Sequence, residues 1–145
     1  MRNLADNPLT VDLNRVVGDA TADALIAAGG TGKIVLWNAA ARRLLSYRRD
    51  QAVGQTLVLV ITSAYRPVHV DGFRRAFGTG HTDIAGSPAI VRATRADGVS
   101  SEAEMTIGLI TDAPGTVVGA VAGLRPAGPW QSHRCGRHYV LLIVE

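Results

Sequence analysis

Cysteine is nearly absent: Cys135 stands alone in 145 residues, so no disulfide can form within the chain and the fold must rest on its packed core. Also missing are the charged and apolar regions of a signal peptide, and any apolar run of about 18 residues that could cross a bilayer. These absences predict a soluble, cytoplasmic chain with no membrane partner. Lysine is almost missing too, with Lys33 the only one, and the arginines are scattered as Arg42/Arg43, Arg48/Arg49, Arg74/Arg75 and Arg92 with Arg95. A net charge of +3 dispersed in this way describes a solvated surface and not a face for nucleic acid. No nucleophile, base and orienting acid fall in a catalytic arrangement, so an enzyme is not expected.

What is present suits one folded domain. The chain is long enough to bury a core without metals or disulfides, and with 47% apolar and 19% charged residues it does not read as disordered. The stretch from Tyr65 to Gly80 predicts a helix. Pro67 has a fixed φ and no N–H to lose, which suits a first turn, and Gly78 and Gly80 can take the left-handed conformation that ends a helix. His69, Phe73, Ala76 and Phe77 then share one face, while Asp71, Arg74 and Arg75 point elsewhere. A histidine turned inward beside two phenylalanines is either a packed core residue or a ligand for something held in the core.

In chain order, Val11, Leu13, Val16 and Val17 predict a short amphipathic helix ending near Ala20. Two apolar runs, Asp23 to Ala28 and Lys33 to Trp37, flank Gly29-Gly30-Thr31-Gly32 and predict a hairpin. That glycine string is not a phosphate-binding loop, because Ala27 and Ile34 stand where such a loop needs Gly and Ser or Thr. Asn38 predicts the cap of a helix over Ala39 to Leu45. Beyond an apolar connection at Val58 to Ile61 and the His69 helix, the pattern switches to a period of two. Ala89 to Arg95 forms one strand and Arg95 to Gly98 a turn. Ala103, Met105, Ile107 and Leu109 share a face of the next strand, Asp112 to Gly115 turns, and Val117 to Leu124 is the last strand.

The spacing of Gly32, Ile34, Trp37, Asn38, Ala40, Ala41, Leu45 and Tyr47, ending at Ala52-Val53-Gly54, resembles a PAS domain. The resemblance covers residues 22–125, with 1–21 as a flanking segment and 126–145 as an atypical tail. It implies an α+β fold: a five-stranded antiparallel sheet with short helices on one face. Within it, Arg66-Pro67-Val68-His69 is similar to the segment that supplies the proximal histidine of bacterial haem-PAS gas sensors. The resemblance therefore implies haem b held by His69 as the iron ligand, on the helix face it shares with Phe73 and Phe77. Beside the haem, Arg74 and His81 are candidate propionate contacts, by charge for the arginine, against the commoner reading of both as surface residues. Met105 and Ile107 match distal-pocket positions. The residue that faces bound gas in those sensors corresponds to Ser87 or Ala89 here, and neither can supply the same group. Flavin photochemistry of the light-oxygen-voltage kind needs a cysteine in the helix after the Asn-containing motif, and none stands there.

Three expectations follow: a stand-alone sensor of a diatomic gas or redox state through haem; a cofactor-free module that pairs with itself or with a kinase or regulator; and a sensor whose apolar pocket takes a metabolite. A homodimer is the expected assembly. In the tail, His133, Cys135 and His138 fit no standard zinc spacing, and Tyr139 to Val144 predicts an added strand.

Overall fold

The computed structural model describes residues 17–82 and 88–127. Residues 17–20 are helical and lead into a hairpin of β1 (Ala24–Gly29) and β2 (Ile34–Trp37). Helices α1 (Ala39–Leu45) and α2 (Arg49–Ala52) follow. Two 3-10 turns, Leu57–Val60 and Ser63–Tyr65, then lead into α3 (Arg66–Thr79). The chain closes with β3 (Ala89–Thr94), β4 (Ser100–Thr111) and β5 (Val117–Pro126). The five strands form one sheet in the order β2-β1-β5-β4-β3, antiparallel throughout. The expected helix before Ala20 is helical where it is described, at residues 17–20; its earlier part, the His133/Cys135/His138 cluster and the expected strand at Tyr139 to Val144 lie outside the described residues.

The glycine string closes the hairpin. Gly32 donates its N–H to the Gly29 carbonyl at 2.9 Å with φ at 77°, a left-handed conformation that glycine takes without a Cβ clash. The predicted cap is also in place. Asn38 is extended and its Oδ1 accepts the Ala41 N–H at 2.9 Å. The far end of α1 stops at Ser46, left-handed at φ 65°, whose N–H returns to the Arg42 carbonyl. Pro67 sits in the first turn of α3, and Gly80, with φ at 70°, ends it; Gly78 stays inside the helix.

One sheet face carries the core. Ile26, Ile34, Trp37, Val91, Ala93, Ala103, Met105 and Leu124 are buried there against Ala40, Ala41 and Leu45 of α1, Ala52 of α2 and Val60. Trp37 donates its indole N–H to the Tyr47 carbonyl at 2.9 Å and meets the Tyr47 ring edge-on, so its polar end is satisfied inside the core.

Asn38 does more than cap. Its Oδ1 also accepts the Leu25 N–H at 2.8 Å, and its amide nitrogen donates to the Gly18 carbonyl at 2.7 Å, the Asp23 carbonyl at 2.9 Å and the Thr21 hydroxyl at 3.1 Å. Two N–H groups meet the oxygen and two carbonyls meet the nitrogen, so the amide has only one workable orientation. Asp19 adds a second tie, accepting from the Ala39 N–H and from the Arg49 guanidinium, both at 2.8 Å. A carboxylate at the first turn of α1 also suits the helix dipole.

Asn38→Ala removes the cap and takes the shared acceptor from the Leu25 and Ala41 N–H groups, so we expect it to cost about 3 kcal/mol. Asn38→Asp keeps the capping oxygen but turns an acceptor toward two carbonyls. Urea unfolding should find the Asn38→Asp variant nearly as destabilised as Asn38→Ala; a near-neutral aspartate variant would mean that only the cap matters.

Candidate functional site

The inner sheet face is lined largely by small side chains toward the β1–β5 centre. Ala28, Ala120 and Ala122 leave space that larger residues would fill, and that space is a cavity of about 120 Å³. Its floor is the sheet, with Ile26, Val91, Met105, Ile107 and Leu124 around the alanines. Its wall is the 3-10 segment with Leu57, Val60, Ile61 and Tyr65, and its roof is α3 with Val68, His69 and Phe73. The wall is tied to the sheet by a bridge between Ile61 and Ala93. Next to that bridge, three hydroxyls, Thr62, Thr94 and Ser100, lie 3.1 to 3.3 Å from one another.

The roof is held less firmly. No residue of α3 is fully buried. Its inward face is an aromatic ladder: the His69 ring lies 6.1 Å from Phe73, and Phe73 stacks on Phe77 at 4.6 Å. The ladder ends on the β1–β2 turn. A Cβ placed on Gly30 would stand 3.3 Å from the Phe77 ring, and one on Gly32 would stand 4.0 Å from Phe73. The glycines thus serve the turn and also let α3 approach it.

His69, with Tyr65 and Arg92, brings polar groups to the lining of this otherwise apolar site. Its Nδ1 is buried with no hydrogen-bond partner among the described residues, an unusual state for a buried polar atom. Burial pushes the imidazole down from 6.5 to about 4, because the charged form loses its solvation. At neutral pH the ring is therefore uncharged and keeps one donor and one acceptor. Arg92 borders the cavity, but it lies between the buried Val91 and Ala93 and is itself exposed.

Comparison with known proteins places this architecture. A sequence model described as the PAS fold matches residues 13–127, most of the chain. The chain belongs to the PAS family. An uncharacterized protein of Azorhizobium caulinodans is 34% identical over 94 residues, which are 64% of this chain and 13% of that protein. This PAS chain thus spans about an eighth of the relative's length. Among solved structures, the PAS domain of a protein from Colwellia psychrerythraea is 19% identical, with a TM-score of 0.68, over 81% of this chain and 97% of that one. An RNA-binding light-oxygen-voltage receptor is 18% identical, with a TM-score of 0.67, over 87% of this chain and 35% of that one. The light-oxygen-voltage protein of Rhodobacter sphaeroides is 16% identical, with a TM-score of 0.66, over 85% and 70%. Likenesses at this level of identity show the shared fold. PAS domains are in general sensing modules and not catalysts. Among the described residues no helix is long and apolar enough to cross a membrane.

Of the residues singled out in the sequence, His69, Phe73, Met105 and Ile107 meet at the cavity. Phe77 stands behind Phe73 and stacks on it without lining the space. Arg74 and His81 are exposed and outside the lining, since Arg74 falls off the inward face and His81 lies beyond the Gly80 cap. Ala89, the first residue of β3, is buried beside its strand partner Met105 and also outside the lining; Ser87 lies outside the described residues. The alanines of the floor and the 3-10 wall were missed. The Ala120-x-Ala122-x-Leu124 alternation was the available signal: small residues on the inward face of a central strand mark missing volume.

The imidazole gives a pH prediction with a definite sign. Between its ordinary value and about 4 the unfolded chain takes up a proton that the folded chain refuses, so stability falls as pH falls through that window. Comparing wild type with His69→Leu cancels the carboxylates. We expect the difference in unfolding free energy between them to shift by about 2 kcal/mol, against wild type, from about pH 7 to about pH 4. An unchanged difference would show that His69 titrates as a solvated histidine.

Proposed function

We propose that this PAS chain senses a compact apolar molecule held in the cavity between α3 and the sheet, and passes the signal to a partner such as a kinase or regulator. The observation that carries this reading is an apolar cavity roofed by a helix with no fully buried residue. A ligand that fills the space gives α3 contacts that it lacks without one. Differential contacts of this kind are what allow a ligand to shift a conformational equilibrium.

A second reading, haem b bound through His69, is favoured by the uncharged imidazole at the cavity, since neutral imidazole is a common haem ligand. The donor fits. The space as it stands does not, because even drug-sized ligands occupy pockets of roughly 300 Å³ or more, and this cavity is about 120 Å³. The expected propionate partners, Arg74 and His81, are exposed and outside the lining. Haem would require α3 to move outward. Flavin is less well supported, since among the described residues no Asn or Gln side chain lines the cavity to meet its polar edges.

Two measurements separate these readings. In a thermal-shift screen with small apolar compounds, at least one should raise the melting temperature of wild type, and Ala122→Leu, which fills the floor, should abolish the rise. Titration with hemin should leave only the free-hemin spectrum. A sharp Soret band at one haem per chain that disappears in His69→Ala would overturn the compact-ligand reading in favour of haem.

A further inference from the structure

Building on the ligand-sensing reading, we propose that the occupant is a lipophilic monocarboxylate, with its apolar body in the cavity and its carboxylate at the rim on Arg92. The interior sets the first requirement. Val60, Val91 and Leu124 make its lining buried and aliphatic, and among the described residues no carboxylate or amine borders it. A charge placed inside would be desolvated without a counter-charge, so the body of the ligand is apolar and its ionised group stays outside. The space permits that division because it is not sealed. Ile107, Ala120 and Ala122 of its lining are half-buried, and Arg92 is exposed.

The rim supplies the sign. Arg92 springs from the face of β3 opposite to Val91 and Ala93, but β3 is the last strand of the sheet. Its long stem therefore borders the cavity round the sheet edge while the guanidinium stays in water. Glu102 is its partner in register, yet no ion pair joins the two among the described residues. A second guanidinium lies at the same junction: Arg66 donates its Nε to the Ile61 carbonyl at 3.1 Å, and Ile61 bridges Ala93, the residue next to Arg92. A carboxylate at this rim meets the planar fork that suits it, whereas an ammonium head would face like charge. Pairs formed in water are worth little, so the apolar body supplies the affinity and the rim selects the head group.

The test is calorimetric titration of the whole chain with octanoate, octanol and octylamine, which share one tail. Arg92→Gln should weaken octanoate about threefold, and Arg92→Glu should weaken it further and tighten octylamine. Octanol should bind wild type and both variants alike, as proof that the cavity survives. Salt reads the same contact without a variant: raising the ionic strength from about 0.05 M to about 0.5 M should weaken octanoate and not octanol. Octanoate binding that is indifferent to both Arg92 substitutions and to salt would overturn the head-group assignment, and with octanol still bound would leave an apolar-ligand sensor intact. Failure of all three to bind overturns the proposal, and if the thermal-shift screen also finds no ligand, the ligand-sensing reading falls with it.

Discussion

One buried amide holds the described fold together. Asn38 is 3% exposed, and its side chain joins three pieces that are distant in sequence: the segment from Gly18 to Asp23, the start of β1 at Leu25, and the first turn of α1 at Ala41. The Gly18 and Asp23 carbonyls also accept from Thr21, but the Leu25 and Ala41 N–H groups both rely on the Asn38 oxygen, and burying a polar group unpaired costs more than most packing contacts return. The amide therefore fixes where the chain enters the sheet and where α1 lies on it. Trp37 beside it, capped by the Tyr47 carbonyl, then has one position in the core, and the Arg49 guanidinium, which binds both the Trp37 carbonyl and Asp19, fastens α2 to the same corner.

This rigid corner contrasts with the other half of the inner face. Around Asn38 the core is closed by Trp37, Ile34 and Leu45, each almost fully buried. Toward α3 the strands carry alanine where that corner carries tryptophan and leucine, and the helix above them buries no residue fully. Interiors normally pack close to the density of organic crystals. A local shortfall under a lightly held helix, with a wall fastened separately by the Thr62–Thr94–Ser100 hydroxyls, is an arrangement in which one element can move while its neighbours stay. The stable and yielding parts of the domain are thus separated by residue size along the same strands.

How much of this was legible depends on the range of the interaction. The hairpin, the Asn38 cap, the turn at Arg95 to Gly98 and the alternation of β4 rest on neighbours a few residues apart, and the sequence pattern reports such neighbours directly. The inward placement of His69 and Phe73 followed from helical periodicity for the same reason. Arg74 and His81 were candidates only as charged contacts for propionates, off the inward face that periodicity marks, and both lie outside the lining. The cavity was not legible, because it arises where Ala28 meets Ala120 across a strand pair, about ninety positions apart in the chain. Nor was the unpartnered state of Nδ1: a helical pattern states which way a residue faces, while the groups available to bond it come from the wall and the floor.

The aromatic ladder gives the yielding part a route to the rigid one. His69, Phe73 and Phe77 occupy successive turns of α3, and ring contacts run along all three. The last ring rests on Gly30, where a methyl group would already be tight at 3.3 Å. Gly30 has no side chain that can yield there, so a shift of α3 along its axis is taken up by the Phe77 ring or passed into the backbone of the β1–β2 turn. From there the displacement enters β1, whose opposite end is held by Asn38 through the Leu25 N–H. The same amide binds Gly18 and Asp23, so the residues that lead into β1 are joined, through one strand and one side chain, to the roof of the cavity. In such an arrangement the cavity and the residues that lead into β1 share a mechanical element. Occupancy at one can bias the other without any contact between them.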